Sequence, residues 1–175
     1  METAQTLSQI CEQTAQRRLP RWEELPDLEL YMDQILSLTE RYLGTSDGGR
    51  KGLTAAMVNN YVKLGVMPAP VKKKYTRLHL AYLLIICTLK PVLPIDEIGR
   101  MLGGSLTADD GAFYDAFCRE FTVCGERAAR NTQERLTSGA KGVSPISAAC
   151  CAALRAQAER SLALALREAE NSQNA

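Results

Sequence analysis

The chain has only one histidine, one tryptophan and three phenylalanines among its 175 residues. The single histidine, His79, has no nucleophile elbow, phosphate-binding loop or pair of metal ligands near it in the sequence. We therefore expect His79 to be a structural residue. We predict no enzymatic activity, no catalytic residues, no metal site and no cofactor.

Long apolar runs are absent as well. The most hydrophobic segment, LAYLLIICTL, is bounded by His79 and Lys90 and is far shorter than the roughly 20 residues that a membrane helix needs. The N-terminal segment METAQTLSQICEQ is polar and lacks the apolar region of a signal peptide. We therefore expect a cytoplasmic protein, with enough hydrophobic residues, 46%, to build a buried core.

The six cysteines show no C-x-x-C or zinc-ribbon spacing, which indicates free thiols in a reducing compartment. A thiol- or metal-responsive role stays open as an alternative, because thiolates bind soft metals. Against that role, Cys118 and Cys124 lie about 240° apart around a helix, and Cys150 and Cys151 about 100° apart. Neither pair converges within one chain.

One charge sign is missing from a long part of the sequence. Residues 48–95 hold eight basic side chains and no acidic one, a net charge of +8. Residues 1–47 carry four basic and nine acidic side chains, net −5, and residues 96–175 carry nine and eleven, net −2, which returns the total of +1. A solvated surface usually mixes both signs. The near-neutral total therefore conceals a basic module, which is typical of a nucleic-acid-binding protein.

The basic module contains clear helix signals. Thr54 is suited to cap a helix that runs to Leu64, and Gly65 can supply the left-handed residue after it. The segment MPAP cannot continue a helix, so KKKY should project as a small wing before Thr76 caps the next helix. That helix, Arg77 to about Lys90, is apolar on nearly every face and should be the buried core. PIDEIGRML predicts a short helix that ends at Gly103-Gly104.

Further helices are predicted on both sides of this module. Before it, we expect one from Thr6 to about Arg18, a docked Trp22, and a second helix opened by Asp27 with Leu28, Tyr31, Met32, Ile35, Leu38 and Tyr42 at helical spacing. After it, Thr107 and Asp110 form a capping box for a helix over 108–136. Phe113, Phe117 and Phe121 share one stripe of that helix, which is more typical of a core than of a ligand site. Ser144 and Pro145 then predict an alanine-rich helix to about Ala169.

The order NNYVKLGVMPAPVKKKYTRLHLAYLLIICTLKPVLPIDEIGRML resembles the winged helix-turn-helix of MerR-type bacterial regulators. In those proteins a recognition helix ends in a tyrosine, a basic residue and Leu-Gly, and a basic-x-Tyr-Ser/Thr wing follows. The corresponding residues here are Tyr61, Lys63, Leu64-Gly65, then Lys73, Tyr75 and Thr76. With its leading DLELYMDQI helix, the chain more closely resembles the DUF1836 family of bacterial proteins. It departs from the MerR pattern at Asn59-Asn60, where Arg-Tyr is usual.

The resemblance and the charge pattern together imply a mostly α-helical protein with a MerR-like winged helix-turn-helix, a small β wing and additional N- and C-terminal helices. The expected parts are an N-terminal helix and linker (1–26), a DNA-binding domain (27–104) and a helical region for dimerisation (105–175). The expected function is a sequence-specific transcriptional regulator of double-stranded DNA. Its expected DNA-binding residues are Arg50, Lys51, Thr54, Asn59, Asn60, Lys63, Lys72, Lys73, Lys74, Tyr75 and Arg77.

Two long C-terminal helices exceed what a small winged helix needs to cover its own core. We therefore predict a homodimer that presents two recognition helices to a pseudo-palindromic site. A small-molecule effector is compatible with this class of regulator, although the sequence identifies none. The alternative from another class is a protein-interaction module, in which the same helical core does not bind DNA and the C-terminal helices bind a partner.

Overall fold

The structure is a computed structural model that describes residues 2–44, 52–103, 111–137 and 145–173. These residues form seven α-helices and a 3-10 turn at Trp22–Glu24, so the predicted mostly helical fold is confirmed. The helices are α1 (Glu2–Ala15), α2 (Met32–Leu43), α3 (Ala55–Lys63), α4 (Arg77–Leu89), α5 (Ile95–Leu102), α6 (Ala112–Thr137) and α7 (Pro145–Gln173). No helix within the described ranges has the length and apolar character needed to cross a bilayer.

The chain divides into two compact units. The central unit is Arg18–Phe121, and the terminal unit combines Met1–Arg17 with Thr122–Ala175. The central unit therefore extends beyond the predicted DNA-binding domain, 27–104, at both ends.

Helix α4 forms the core of the central unit. All eight residues from His79 to Ile86 are buried, and α2 and α5 pack against this helix. At its start, the neutral His79 ring accepts a hydrogen bond at Nδ1 from the backbone N–H of Thr76, 3.0 Å away. The ring edge also lies against Tyr75, with centroids 5.4 Å apart. His79 is thus a packed cap residue, as a structural role requires.

Both ends of α3 follow the sequence signals. The Thr54 hydroxyl accepts a hydrogen bond from the Met57 backbone N–H at 3.3 Å, which satisfies one of the unpaired donors of the first turn. At the other end Gly65 has a φ of +69°. Its N–H donates to Val62, and the N–H of Val66 donates to Tyr61. These two bonds form a Schellman motif, which fixes where the chain leaves the helix.

Trp22 docks within the central unit, as predicted. It is buried against the start of α6, where its backbone N–H donates to the Asp115 carboxylate at 2.8 Å and its ring meets Tyr114 edge-on. Gly111 has a φ of +54°, and a Cβ there would lie 2.2 Å from the indole. Only glycine fits under the ring.

The inward face of α6 differs from the predicted one. Tyr114 and Cys118 are buried, whereas Phe113 is 38% exposed and Phe117 and Phe121 are half-buried. The phenylalanine stripe is therefore only the edge of the packed surface. The capping box at Thr107 and Asp110, like Ser144, lies outside the described residues.

The segment before α2 is extended, which corrects the predicted helix start at Asp27. Leu30 and Tyr75 form an antiparallel bridge, with N–H to O distances of 2.7 and 2.8 Å in the two directions. Because those backbone groups are already paired, α2 begins only at Met32, and Leu28 and Tyr31 remain exposed. The predicted β wing is also reduced. Within the described residues no strand forms, and a second isolated bridge, Val71 to Lys74, closes a tight turn instead.

The terminal unit consists of α1, α7 and the later part of α6. Gly125 of α6 permits close contact with α1, since a Cβ at this position would lie 2.9 Å from the Thr14 carbonyl oxygen. The Arg135 guanidinium donates a hydrogen bond to the Cys151 sulfur at 3.2 Å, and Ala148 is buried. One side of α7 is therefore packed within its own unit.

We predict that stability decreases below pH 6.5 through His79. Burial lowers the folded-state pKa of this ring from its ordinary 6.5, so the unfolded chain binds the proton first as pH falls. The stabilising contribution of the neutral ring is fully present above 6.5 and is lost between 6.5 and the lowered pKa. Urea denaturation followed by circular dichroism on both sides of pH 6.5 measures this slope.

His79→Gln is the control for this prediction, because glutamine at this position preserves a capping box with Thr76 and does not titrate. Between pH 6.5 and the pH at which carboxylates begin to titrate, the free energy of unfolding should change less with pH in this variant than in the unmodified chain. If the free energy of unfolding changed equally with pH in both proteins, groups other than His79 would be responsible for the change.

Candidate nucleic-acid interface

The outer face of α3 presents amides and one cation. Ala56, Asn59, Asn60 and Lys63 are all exposed and recur at helical spacing, while Val58 and Tyr61 are buried on the opposite side. Leu64, where the predicted helix ends, is 53% exposed because the chain already turns at the Schellman motif. The exposed face holds no carboxylate.

The turn from Val71 to Lys74 carries two lysines in an unfavourable backbone conformation. Lys72 and Lys73 have φ values of 50° and 64°, and the N–H of Lys74 donates to the Val71 carbonyl at 2.8 Å. Two successive positive φ values in a two-residue connection are typical of a type I′ turn, which favours Asn-Gly. The left-handed conformation costs a residue with a Cβ about 1 kcal/mol. Both lysine side chains are exposed.

Lys74 belongs to the same turn but has partners within the central unit. Its ammonium lies 3.5 Å from the Glu29 carboxylate and 4.3 Å from the centre of the Tyr31 ring. The side-chain hydrogen bond with Tyr31, followed by the Glu29 charge, raises the pKa of Lys74. Lys74 therefore holds the turn against the segment before α2.

Tyr75 is placed in the core, although the sequence suggested it as a DNA contact. Only 3% of its surface is exposed, and burial raises the pKa of its phenol. Its backbone pairs with Leu30, so its position fixes the base of the turn. We therefore exclude its side chain from the candidate interface.

Arg77 is likewise enclosed by its neighbours. Its guanidinium lies 3.7 Å from Glu23, 3.5 Å from Asp27 and 5.5 Å from the centre of the Trp22 ring, and only 15% of the side chain is exposed. These contacts join the start of α4 to the Trp22 segment. Arg77 too is a structural cation and is removed from the candidate interface.

A third cation of the basic segment, Lys90 at the end of α4, donates to the Tyr61 hydroxyl at 2.9 Å. Lys63, Lys72 and Lys73 remain exposed, with no ion-pair partner among the residues that the structure describes. Thr54 caps the start of α3 and is exposed as well. Arg50 and Lys51 lie outside the described residues. The candidate interface thus consists of the outer face of α3 and the Lys72–Lys73 turn.

Sequence reasoning missed the acidic partners of this segment. Residues 48–95 contain no carboxylate, but the fold brings Glu23, Asp27 and Glu29 from the preceding segment against Arg77 and Lys74. The dense acidic content of residues 23–29 was visible. What could not be deduced was the Leu30–Tyr75 pairing that aligns the two segments.

The cysteines do not form a metal site in the described ranges, where no group of three or more His, Cys, Asp or Glu side chains comes together. Cys11 and Cys118 are buried, and burial raises the pKa of the Cys87 thiol to about 11. A thiol with such a pKa is protonated at neutral pH and is a poor metal ligand.

The family model Domain of unknown function (DUF1836) matches residues 20–117. The match begins just before Trp22, ends one residue before Cys118, and lies wholly within the central unit. No curated protein and no solved structure matches the chain.

We predict that Arg77→Lys lowers the free energy of unfolding by about 1 kcal/mol. Lysine keeps the charge but loses the planar group that faces Trp22 and lies between two carboxylates. Lys73→Ala is the control, because it removes an exposed cation and should change stability by less than about 0.5 kcal/mol. Urea denaturation measures both, and equal effects would contradict a structural role for Arg77.

Proposed function

We propose that this chain, which belongs to the DUF1836 family, is a DNA-binding transcriptional regulator that contacts double-stranded DNA through α3 and the Lys72–Lys73 turn. The observation that carries the proposal is the pair of exposed lysines at positive φ. Asparagine and glycine would fit these positions better, so folding alone does not explain the lysines. Binding of a polyanion at the turn explains why lysines occupy these two positions.

The two elements have different roles in this proposal. Lys72 and Lys73 contact the phosphate backbone, which contributes affinity without base information. Helix α3 enters a major groove, where the Asn59 or Asn60 amide forms paired hydrogen bonds with an adenine and Lys63 contacts a base or a phosphate. Thr54 fixes the N-terminal end of the helix, whose residues usually lie closest to the base edges.

The structural cations support this arrangement indirectly. Lys74 offsets the charge of Glu29 beside the turn, and Arg77 offsets part of the charge of Glu23 and Asp27, so fewer uncompensated carboxylates repel a phosphate backbone. In this proposal α2 and α3 act as a helix-turn-helix, and the Val71–Lys74 turn acts as a shortened wing. The protein binds its site as a homodimer, and its role is binding rather than catalysis.

A protein-interaction module is the second candidate. It is favoured by the exposed apolar side chains of α7, among them Leu154, Leu162 and Leu166, which resemble a docking surface more than a solvated helix. Salt separates the candidates, because DNA binding by lysines weakens steeply with salt and apolar association does not.

We predict that Lys72→Asn/Lys73→Gly makes the protein more stable and weakens its DNA binding. Relief of the left-handed strain should raise the free energy of unfolding by about 1 kcal/mol. Loss of two phosphate contacts should flatten the slope of log K against log salt by about 1.8, at about 0.9 per contact. Fluorescence anisotropy with labelled duplex DNA over a salt series measures the slope, and urea denaturation measures the stability.

Lys74→Ala is the matched control, since it removes one charge from the same turn but one that is already paired with Glu29. Its effect on the slope should be smaller than that of either free lysine. An unchanged slope in the double variant would show that these lysines do not contact phosphates.

We predict that Asn59→Ala reduces sequence specificity. The preferred site, selected from a library of genomic fragments, should contain an A·T pair that the variant no longer requires. Loss of the paired hydrogen bonds should cost about 1 to 3 kcal/mol on that site and leave non-specific affinity nearly unchanged. Asn60→Ala is the matched comparison, and Asn59 is favoured because it lies nearer the start of α3. A parallel loss of specific and non-specific binding would contradict this role.

A further inference from the structure

The exposed surface of α7 includes two neighbouring rows of uncharged residues, while Ala152, Ala156 and Glu159 are exposed outside these rows. The first row follows every fourth position from 146 to 166, and four of its six members are large and apolar, with exposed fractions of 76% for Ile146, 69% for Leu154, 59% for Leu162 and 63% for Leu166. Cys150 and Ala158 complete this row and are exposed too. Residues at four-residue intervals form a continuous ridge on a helix surface. Large apolar side chains exposed along a helix are typical of a surface that binds another molecule.

The second row has small or short polar side chains. Its members are all exposed and are Ala149, Ala153, Gln157, Ser161, Ala165 and Ala169. The Ser161 hydroxyl donates to the Gln157 carbonyl of its own helix at 3.0 Å, so it needs no further partner. The second row is therefore a shallow groove that runs beside the ridge.

Together the two rows form a surface that is complementary to itself. In helix packing, the ridge of one helix fits into the groove of another when both follow four-residue rows. A second copy of this chain, related by a two-fold axis, offers its groove to the first ridge and its own ridge to the first groove. A charged partner would find no counter-charge in either row, whereas an identical uncharged face leaves no charge unpaired.

The size of the surface sets the strength of this contact. A four-residue row advances about 40° around the helix at each step, and helices that pack through two such rows cross at about 50°, so the contact is confined to the few turns around the crossing. The buried area is therefore well below the roughly 1,200 Å² at which stable complexes begin. Helix α7 alone therefore supports a dimer that dissociates on dilution.

We propose that α7 is the self-association surface of this protein and that two copies pack through these two rows, with Ala158 between Leu154 and Leu162 where the helices cross. This inference deepens the proposed function, because it assigns a surface to the homodimer that would place two α3 helices on one DNA site.

The test is sedimentation velocity of the full chain without DNA, from micromolar to hundreds of micromolar protein. The unmodified chain should shift from monomer to dimer with rising concentration. Leu162→Glu should raise the dissociation constant at least about tenfold, because two buried leucines are lost and two like charges are added at the crossing. Leu162 is exposed in the single chain, so the variant should keep its helical circular dichroism.

Ala156→Glu is the matched control. It adds the same charge to the same helix at an exposed alanine that lies outside both rows, and it should dimerise like the unmodified chain. A monomer at every concentration, or equal effects of the two substitutions, would overturn the proposal. Because DNA is absent, dimerisation is measured independently of the proposed function: a dimer that binds no DNA would refute only that function, and a monomer that binds DNA would refute only this surface.

Discussion

Burial of the apolar middle of α4 is the constraint on which the central unit depends. A helix with eight consecutive buried residues must be covered on every side, and α2, α5 and the segment before α2 provide cover within the central unit. Its charged residues are consequently confined to its two ends. Each end then requires a partner for its cation: Arg77 has Glu23, Asp27 and the Trp22 ring, and Lys90 has the Tyr61 hydroxyl. Several of the basic residues are thus explained by the core.

This division changes how the net charge of the segment is interpreted. A count along the sequence treats all eight cations as equal, whereas among the six that the structure describes the fold gives partners to Lys74, Arg77 and Lys90 and leaves Lys63, Lys72 and Lys73 exposed. The exposed set is small, but it lies on a helix face and a turn that carry no carboxylate. Fewer cations placed on rigid elements can define the orientation of a ligand better than many on mobile ones. The strained backbone under Lys72 and Lys73 is the cost of that placement.

Features governed by adjacent residues could be predicted from the sequence. The cap at Thr54, the left-handed Gly65 and the start of α4 after Thr76 depend only on local backbone chemistry, and all were correct. The start of α2 was wrong because Leu30 pairs with Tyr75, a distant residue that no local periodicity reveals. The inward face of α6 was misplaced because periodicity shows which residues share a face, not which of two apolar faces is covered. Tyr75 and Arg77 were expected from the sequence to bind DNA, but the burial of Tyr75 and the pairing of Arg77 have the same distant origin.

The position of Trp22 allows its fluorescence to report on the unfolding of the central unit. As the chain's only indole, packed between Gly111, Tyr114 and Arg77, it dominates the emission on excitation at the red edge of the aromatic band. Its spectrum should shift towards longer wavelength when the contacts around the start of α6 open and water reaches the ring. The terminal unit contains no tryptophan, so its unfolding does not change the tryptophan fluorescence. It is detected only by far-ultraviolet circular dichroism. If the melting curves followed by tryptophan fluorescence and by circular dichroism differ, the two units do not unfold together.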